Sequence, residues 1–169
     1  GESGLVALDW NNGNRSILAD PMLTGLLLGQ TLHTSGPEIY RALVEATAFG
    51  ALTIIEAIED GGVRVEEIVC CGGIAEKSPL VMRIYADVCN RPLRIARSSN
   101  TCALGAAVFG AVVGGAYSSV EEAQAVMTGI RTGGYAPVPE NAAVYAGLYK
   151  IYRRLHDAFG TSASPGTMN

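Results

Sequence analysis

Ile68–Pro79 reads IVCCGGIAEKSP: a short apolar run, two adjacent glycines, and a Ser-Pro pair a few residues on. The run predicts a strand over Glu67–Cys71. Its apolar residues do not alternate with polar ones, which predicts a strand covered on both faces. Ser78 and Pro79 predict a helix over Pro79–Asn90, with serine as the cap and proline in the first turn. Strands that alternate with helices build layered α/β domains, and in open α/β sheets ligands sit beyond the carboxyl ends of strands. Gly72 and Gly73 stand at that place. Without a Cβ they adopt unusual backbone angles and let a ligand approach the main chain. A plain strand-to-helix turn also accounts for such a pair. No Lys-Ser or Lys-Thr follows, as a phosphate loop requires, and the spacing is not that of a dinucleotide fingerprint.

Upstream, Leu5–Trp10 predicts a strand and Asn11–Arg15 (NNGNR) a turn. Ser16–Gly29 reads as irregular, with a short helical turn after Pro21. Ser35-Gly36-Pro37-Glu38 opens a helix that runs to about Asp60 and stops at Gly61-Gly62. Ile39, Leu43, Ala46, Phe49, Leu52, Ile55 and Ile58 follow helical spacing, and small residues elsewhere predict contact over much of the circumference. Downstream, Leu93–Ala96 predicts a strand and Thr101–Gly114 a helix. Asn100 or Thr101 is placed to cap that helix and to reach the same crevice as the glycines; tight packing alone is the competing reading. Ser119–Met127 carries a capping box, Ser119 to Glu122. Asn141–Phe159 is a last helix ending at Gly160, and Thr161–Asn169 reads as a polar, flexible tail. The order is β-α-β-α-β-α-α-α, an α/β domain with crossover connections.

With 169 residues, 49% hydrophobic and 17% charged, the chain has enough apolar material for one domain with a core. The net charge of -4 and the lack of a basic patch argue against nucleic acid. Ser98–Val120 contains no charged residue and is long enough to span a bilayer. Four glycines and a polar start dilute it, which predicts a buried helix of an α/β core and no membrane span. No secretory leader is read at the start, and a cytoplasmic location is expected. Cys70, Cys71, Cys89 and Cys102 form no CxxC pair and only two histidines accompany them, so no metal site is expected. Adjacent Cys70 and Cys71 point to opposite faces of a strand. Buried, reduced thiols are expected.

Three segments together resemble the FGGY family of carbohydrate kinases. GQTLHTSGPEIYRALVEATAFGALTIIEAIEDGG (Gly29–Gly62) resembles the family's second signature. VCCGGIAEKSPLVMRIYADVCNRPLRI (Val69–Ile95) resembles its adenosine-binding segment, and NTCALGAAVFGAVVGG (Asn100–Gly115) the alanine-rich helix that follows. The spacing between them also matches, and the likeness covers nearly all of residues 4–160. The resemblance implies the carboxy-terminal half of an actin-like ATPase (ribonuclease H-like) fold. Residues 1–160 would be its nucleotide-binding domain, cut at the amino-terminal side.

The implied activity is transfer of the γ-phosphoryl group of ATP, with Mg²⁺, to a sugar hydroxyl. LDWNNGNRSILADP (Leu8–Pro21) and Ile39–Leu43 resemble members that act on L-ribulose; xylulose, glycerol and gluconate are the alternatives. Adenosine contacts carry over to Gly72 and Gly73, with Ile74, Ser78 and Asn100 beside them as nucleotide-binding candidates. An asparagine commonly stands near Ser78 in the family; serine keeps a hydroxyl and lacks the amide donor. The catalytic Asp and the phosphate hairpins belong to parts of the family pattern not found here. The sugar is implied to bind mainly the amino-terminal domain, and this chain alone is expected to be inactive. Asp9 lies in a loop that resembles the cleft-facing Trp segment but does not match the base motif, and is read first as a turn-flanking carboxylate. Arg15 is read first as a solvated loop residue, with a phosphate contact second. A non-enzymatic actin-like regulatory module is the reading from another class; Tyr40-Arg41-Ala42-Leu43 favours the kinases. Apolar surface at the cleft edge predicts a possible homo-oligomer.

Overall fold

A computed structural model describes residues 2–160. Its elements are β1 (Val6–Leu8), β2 (Leu26–Leu28), α1 (Gly36–Asp60), β3 (Ile68–Cys70), α2 (Gly73–Lys77), α3 (Pro79–Cys89), β4 (Leu93–Ile95), α4 (Thr101–Val113), α5 (Val120–Met127) and α6 (Pro139–Gly160). The tail expected at Thr161–Asn169 lies outside the described residues. The chain forms two compact units. Of the described residues, the first holds 2–65, 84–90 and 137–160, and the second 66–83 and 91–136.

In the first unit β1 and β2 pair antiparallel, with Val6 opposite Leu28 and Leu8 opposite Leu26. Leu8, Trp10, Phe49 and Tyr152 are the largest fully buried side chains here. Ala46 and Ala48 of α1 are wholly buried, which lets that helix lie close against β1. Glu38 fixes the start of α1: its carboxylate accepts from the Ser35 N–H and hydroxyl, both at 2.7 Å, and is held below its ordinary pKa by them. Gly62, at φ +89°, turns the chain away at the other end, a left-handed angle that favours glycine.

The last helix, α6, presents Tyr145, Tyr149, Tyr152 and His156 on one buried face, at spacings of four, three and four. Phe49 of α1 meets the first three rings, at centroid distances of 6.2, 5.9 and 5.4 Å. The start of α6 is capped from a distance. Buried Asp87 of α3 accepts from the Val138 N–H and the Asn141 side-chain amide, each at 2.8 Å.

In the second unit β3 and β4 run parallel, Ile68 beside Leu93 and Cys70 beside Ile95. Residues 129–135 return along the far side of β4: Leu93 and Tyr135 exchange both backbone hydrogen bonds, and Arg131 donates to the Ile95 carbonyl at 2.8 Å. Ser119 caps α5 by accepting from the Glu122 N–H at 3.2 Å. The reciprocal half of the expected capping box shifts by one residue: Glu122 accepts from the backbone and hydroxyl of Ser118.

Five expectations are corrected. Residues 26–28 form β2 where irregular chain was expected; three consecutive leucines carry no alternation to mark a half-buried strand. β3 is not covered on both faces, since Val69 is 50% exposed. Helix α4 is not a buried core helix. Only Val108 is buried, while Phe109 and Val113 are 62% and 90% exposed, and α5 packs against it. Among the thiols only Cys89 is buried; Cys71 and Cys102 are exposed, and no disulfide joins any of the four. Leu43 and Ile58 of the expected apolar face of α1 are also exposed. No helix among the described residues is long and apolar enough to cross a membrane.

Candidate functional site

The glycine pair lies in the second unit, where β3 ends. Gly72 has φ +86° and stands at the N-terminal boundary of α2. A side chain there is strained whatever the space around it. Gly73 begins α2 and has no such angle. A Cβ built on either glycine meets no protein atom within 4 Å. Nothing in the protein fills the notch, so the main chain is bare to whatever approaches from outside. Ile74 follows, 67% exposed. Ser78 closes α2, donating its N–H to the Ile74 carbonyl at 3.0 Å, and its own carbonyl accepts the first hydrogen bond of α3, from the Met82 N–H at 3.2 Å.

Asn100 stands at the N-cap position of α4 without a side-chain capping bond. Its N–H donates to the Ser98 hydroxyl at 3.2 Å and its side chain is exposed. Since β3 and β4 are parallel and in register, Gly72–Ile74 and Asn100 all follow the carboxyl ends of neighbouring strands. Gly72, Gly73 and Ile74 are contiguous, Ser78 ends the same short helix, and Asn100 sits on the loop that follows β4. A further cavity of about 250 Å³ lies between α4 and α5, lined by Thr101, Leu104, Gly105 and Phe109.

Asp9 and Arg15 belong to the first unit, where they line one cavity of about 440 Å³ between the Asn11–Ile17 loop and helices α1 and α6. Asp9 does flank the turn, yet its carboxylate faces inward. The Tyr152 hydroxyl donates to its Oδ1 at 3.3 Å, and a Cβ on Gly50 would stand 2.7 Å from its Oδ2. Gly50 is therefore bare because the carboxylate occupies the space. Burial raises the Asp9 pKa, opposed by hydrogen bonds and by the charge of His156.

Along α6 the pattern repeats. Tyr145 donates to Glu45 at 2.9 Å while Arg41 donates to both, and Tyr149 donates to Glu56 at 2.6 Å with the Thr53 hydroxyl 3.1 Å away. Burial pushes the Tyr145 and Tyr149 phenols up to about 12, and Tyr152 higher still. Sequence reading missed this polar row. Its signal was the Tyr-Tyr-Tyr-His spacing at 145, 149, 152 and 156.

A family model described as the FGGY family of carbohydrate kinases, C-terminal domain, matches residues 2–113. A ribulokinase of Geobacillus thermodenitrificans is 52% identical over 164 residues, which is 95% of this chain and 29% of that protein. A ribulokinase of Halalkalibacterium halodurans is 51% identical over 168 residues, 97% of this chain and 30% of that protein. The chain thus spans about three tenths of the length of these relatives. Among solved structures, a ligand-bound xylulose kinase from Lactobacillus acidophilus superposes with a TM-score of 0.83 at 23% identity, covering 96% of this chain and 32% of that one. A xylulose kinase from Rhodospirillum rubrum gives 0.76 at 28% identity, covering 93% and 31%. The α/β architecture is that of the carboxy-terminal half of an actin-like ATPase.

Proposed function

The chain belongs to the FGGY family of carbohydrate kinases, and from that we propose that it is the nucleotide-binding, carboxy-terminal part of an ATP-dependent sugar kinase whose substrate is L-ribulose. The observation that carries the nucleotide reading is the bare main chain at Gly72 and Gly73, open to the outside at the carboxyl end of a parallel strand. A nucleoside can lie flush against such a backbone. Ile74 offers it an exposed apolar side chain, and Ser78 and Asn100 offer polar groups on the same edge of the parallel pair. The sugar assignment is supported by identity of about one half to ribulokinases over 95% of the chain.

ATP brings the phosphoryl group to be transferred, and Mg²⁺ neutralises its charge. This chain contributes binding and orientation. Mg²⁺ keeps several waters and binds largely through phosphate oxygens. Among the described residues no group of three or more His, Cys, Asp or Glu side chains is placed to hold a metal ion. No residue of this chain is assigned as base, and the chain by itself is expected to form no sugar phosphate. Four cysteines outside any disulfide, two of them exposed, suit a reducing cytoplasm.

Calorimetric titration with ADP tests the reading. The chain should bind ADP saturably, and Gly73→Val should abolish binding. A Cβ at Gly73 meets no protein atom within 4 Å, so the fold should survive and the loss reports on ligand space. Unchanged ADP binding in Gly73→Val would overturn the placement.

A further inference from the structure

Helix α2 begins at Gly73 and has only five residues. A helix that short does not hold itself in water, so contacts from outside must fix where it lies. Its packing is slight, since Ala75 is its only buried residue. A polar tie adds to it: the Glu76 carboxylate pairs with the Arg131 guanidinium, 55 residues on in the sequence.

Arg131 is itself anchored. It belongs to the segment that returns along β4, and its N–H donates to the Ile95 carbonyl at 2.8 Å. The start of the same segment is held by Arg97, which follows β4. The Arg97 N–H donates to the Gly129 carbonyl at 2.8 Å and its guanidinium to the Thr128 carbonyl at 3.0 Å. A Cβ on Gly129 would stand 3.2 Å from the guanidinium carbon, so a side chain there would crowd this grip. Arg97 also opens the loop that leads to Asn100. Residues 128–131 therefore hold both loops that follow the parallel strands. They reach the one that starts α2 through Glu76, and the one that leads to Asn100 through Arg97. A second ion pair of this unit, with a similarly exposed arginine, has no such reach. Arg94 of β4 bonds Glu67 at 2.9 Å, at the amino end of β3 and away from the glycine notch.

We propose that residues 128–131 brace the nucleotide edge, and that Arg131, through its ion pair with Glu76, is a positioning residue that sets Gly72–Ile74 for the nucleotide. The assignment rests on the nucleotide reading. Arg131 is given no contact with the ligand; it acts through α2.

Two measurements on the full chain test this: calorimetric titration with ADP, and the amide resonances of Gly72, Gly73 and Ile74 without ADP. Arg131→Gln and Glu76→Gln should each weaken ADP binding roughly threefold, the scale of one exposed ion pair. The double variant should bind no more weakly than either single one, because both remove the same tie. Exchanging the charges, Glu76→Arg with Arg131→Glu, should recover most of the lost affinity. Arg94→Gln breaks the other pair and should bind ADP as the parent does. In the ADP-free chain the three resonances should shift in Arg131→Gln and stay in place in Arg94→Gln, a response that general destabilisation would not produce. Parent-like ADP affinity in Arg131→Gln, resonances that do not move, or losses that add in the double variant would overturn the brace. A parent chain that binds no ADP, with the resonances still shifted in Arg131→Gln, would count against the nucleotide reading and not against the brace.

Discussion

The two units of the chain solve opposite problems. In the first, side chains do nearly everything: Phe49 is ringed by three tyrosines, and each tyrosine hydroxyl has a carboxylate to bond. In the second, the informative positions are those without side chains, Gly72 and Gly73, and much of α4 leaves its apolar groups exposed. A crowded interior fixes geometry through packing, whereas a bare backbone keeps space for something else. What separates the units is what stands next to each residue.

Stability should divide along that line. Phe49→Ala, in the aromatic core of the first unit, should cost about 3–5 kcal/mol in urea denaturation. Val113→Ala, at a position 90% exposed in the second unit, should change stability by less than about 0.5 kcal/mol. Similar losses for the two would break the contrast.

The tyrosine row sharpens the contrast with a smaller effect. Tyr149→Phe removes hydroxyl bonds to Glu56 and Thr53 and should cost about 1 kcal/mol at neutral pH. Tyr145 and Tyr149 are raised from 10.0 to about 12 in the folded state. A raised pKa means the folded protein favours the protonated phenol. That contribution is fully present below pH 10 and is lost as pH rises through 12. Alkaline denaturation should therefore steepen across this window, and the slope should be shallower in Tyr145→Phe and Tyr149→Phe. An identical slope in parent and variants would contradict the burial of these hydroxyls.

Much of this was legible in the sequence, for reasons that differ by element. The long helices announced themselves through caps and periodicity: Ser35 with Glu38, Gly61-Gly62, and Ser119 with Glu122 all mark real boundaries. The Gly72–Gly73 notch was legible because a missing side chain is a property of the residue itself. Strand β2 was not, since Leu26–Leu28 gains its conformation from pairing with β1 and shows no alternation of its own. Burial was the weakest reading. Val69, Phe109, Val113 and three of the four thiols are apolar enough for an interior, but apolarity states a preference and not whether a neighbour arrives. The cavity beside Asp9 was illegible for a related reason, because it draws on residues 9–17, 47–54, 85, 152 and 156, which only the tertiary fold brings together.

The central claim is that the open backbone after β3 receives a nucleotide. Amide resonances of the isotope-labelled chain, followed while ADP is added, test it residue by residue. The largest shifts should fall on Gly72, Gly73 and Ile74, with smaller ones at Ser78 and Asn100. Saturable ADP shifts that leave Gly72–Ile74 unmoved and centre on another surface would contradict it.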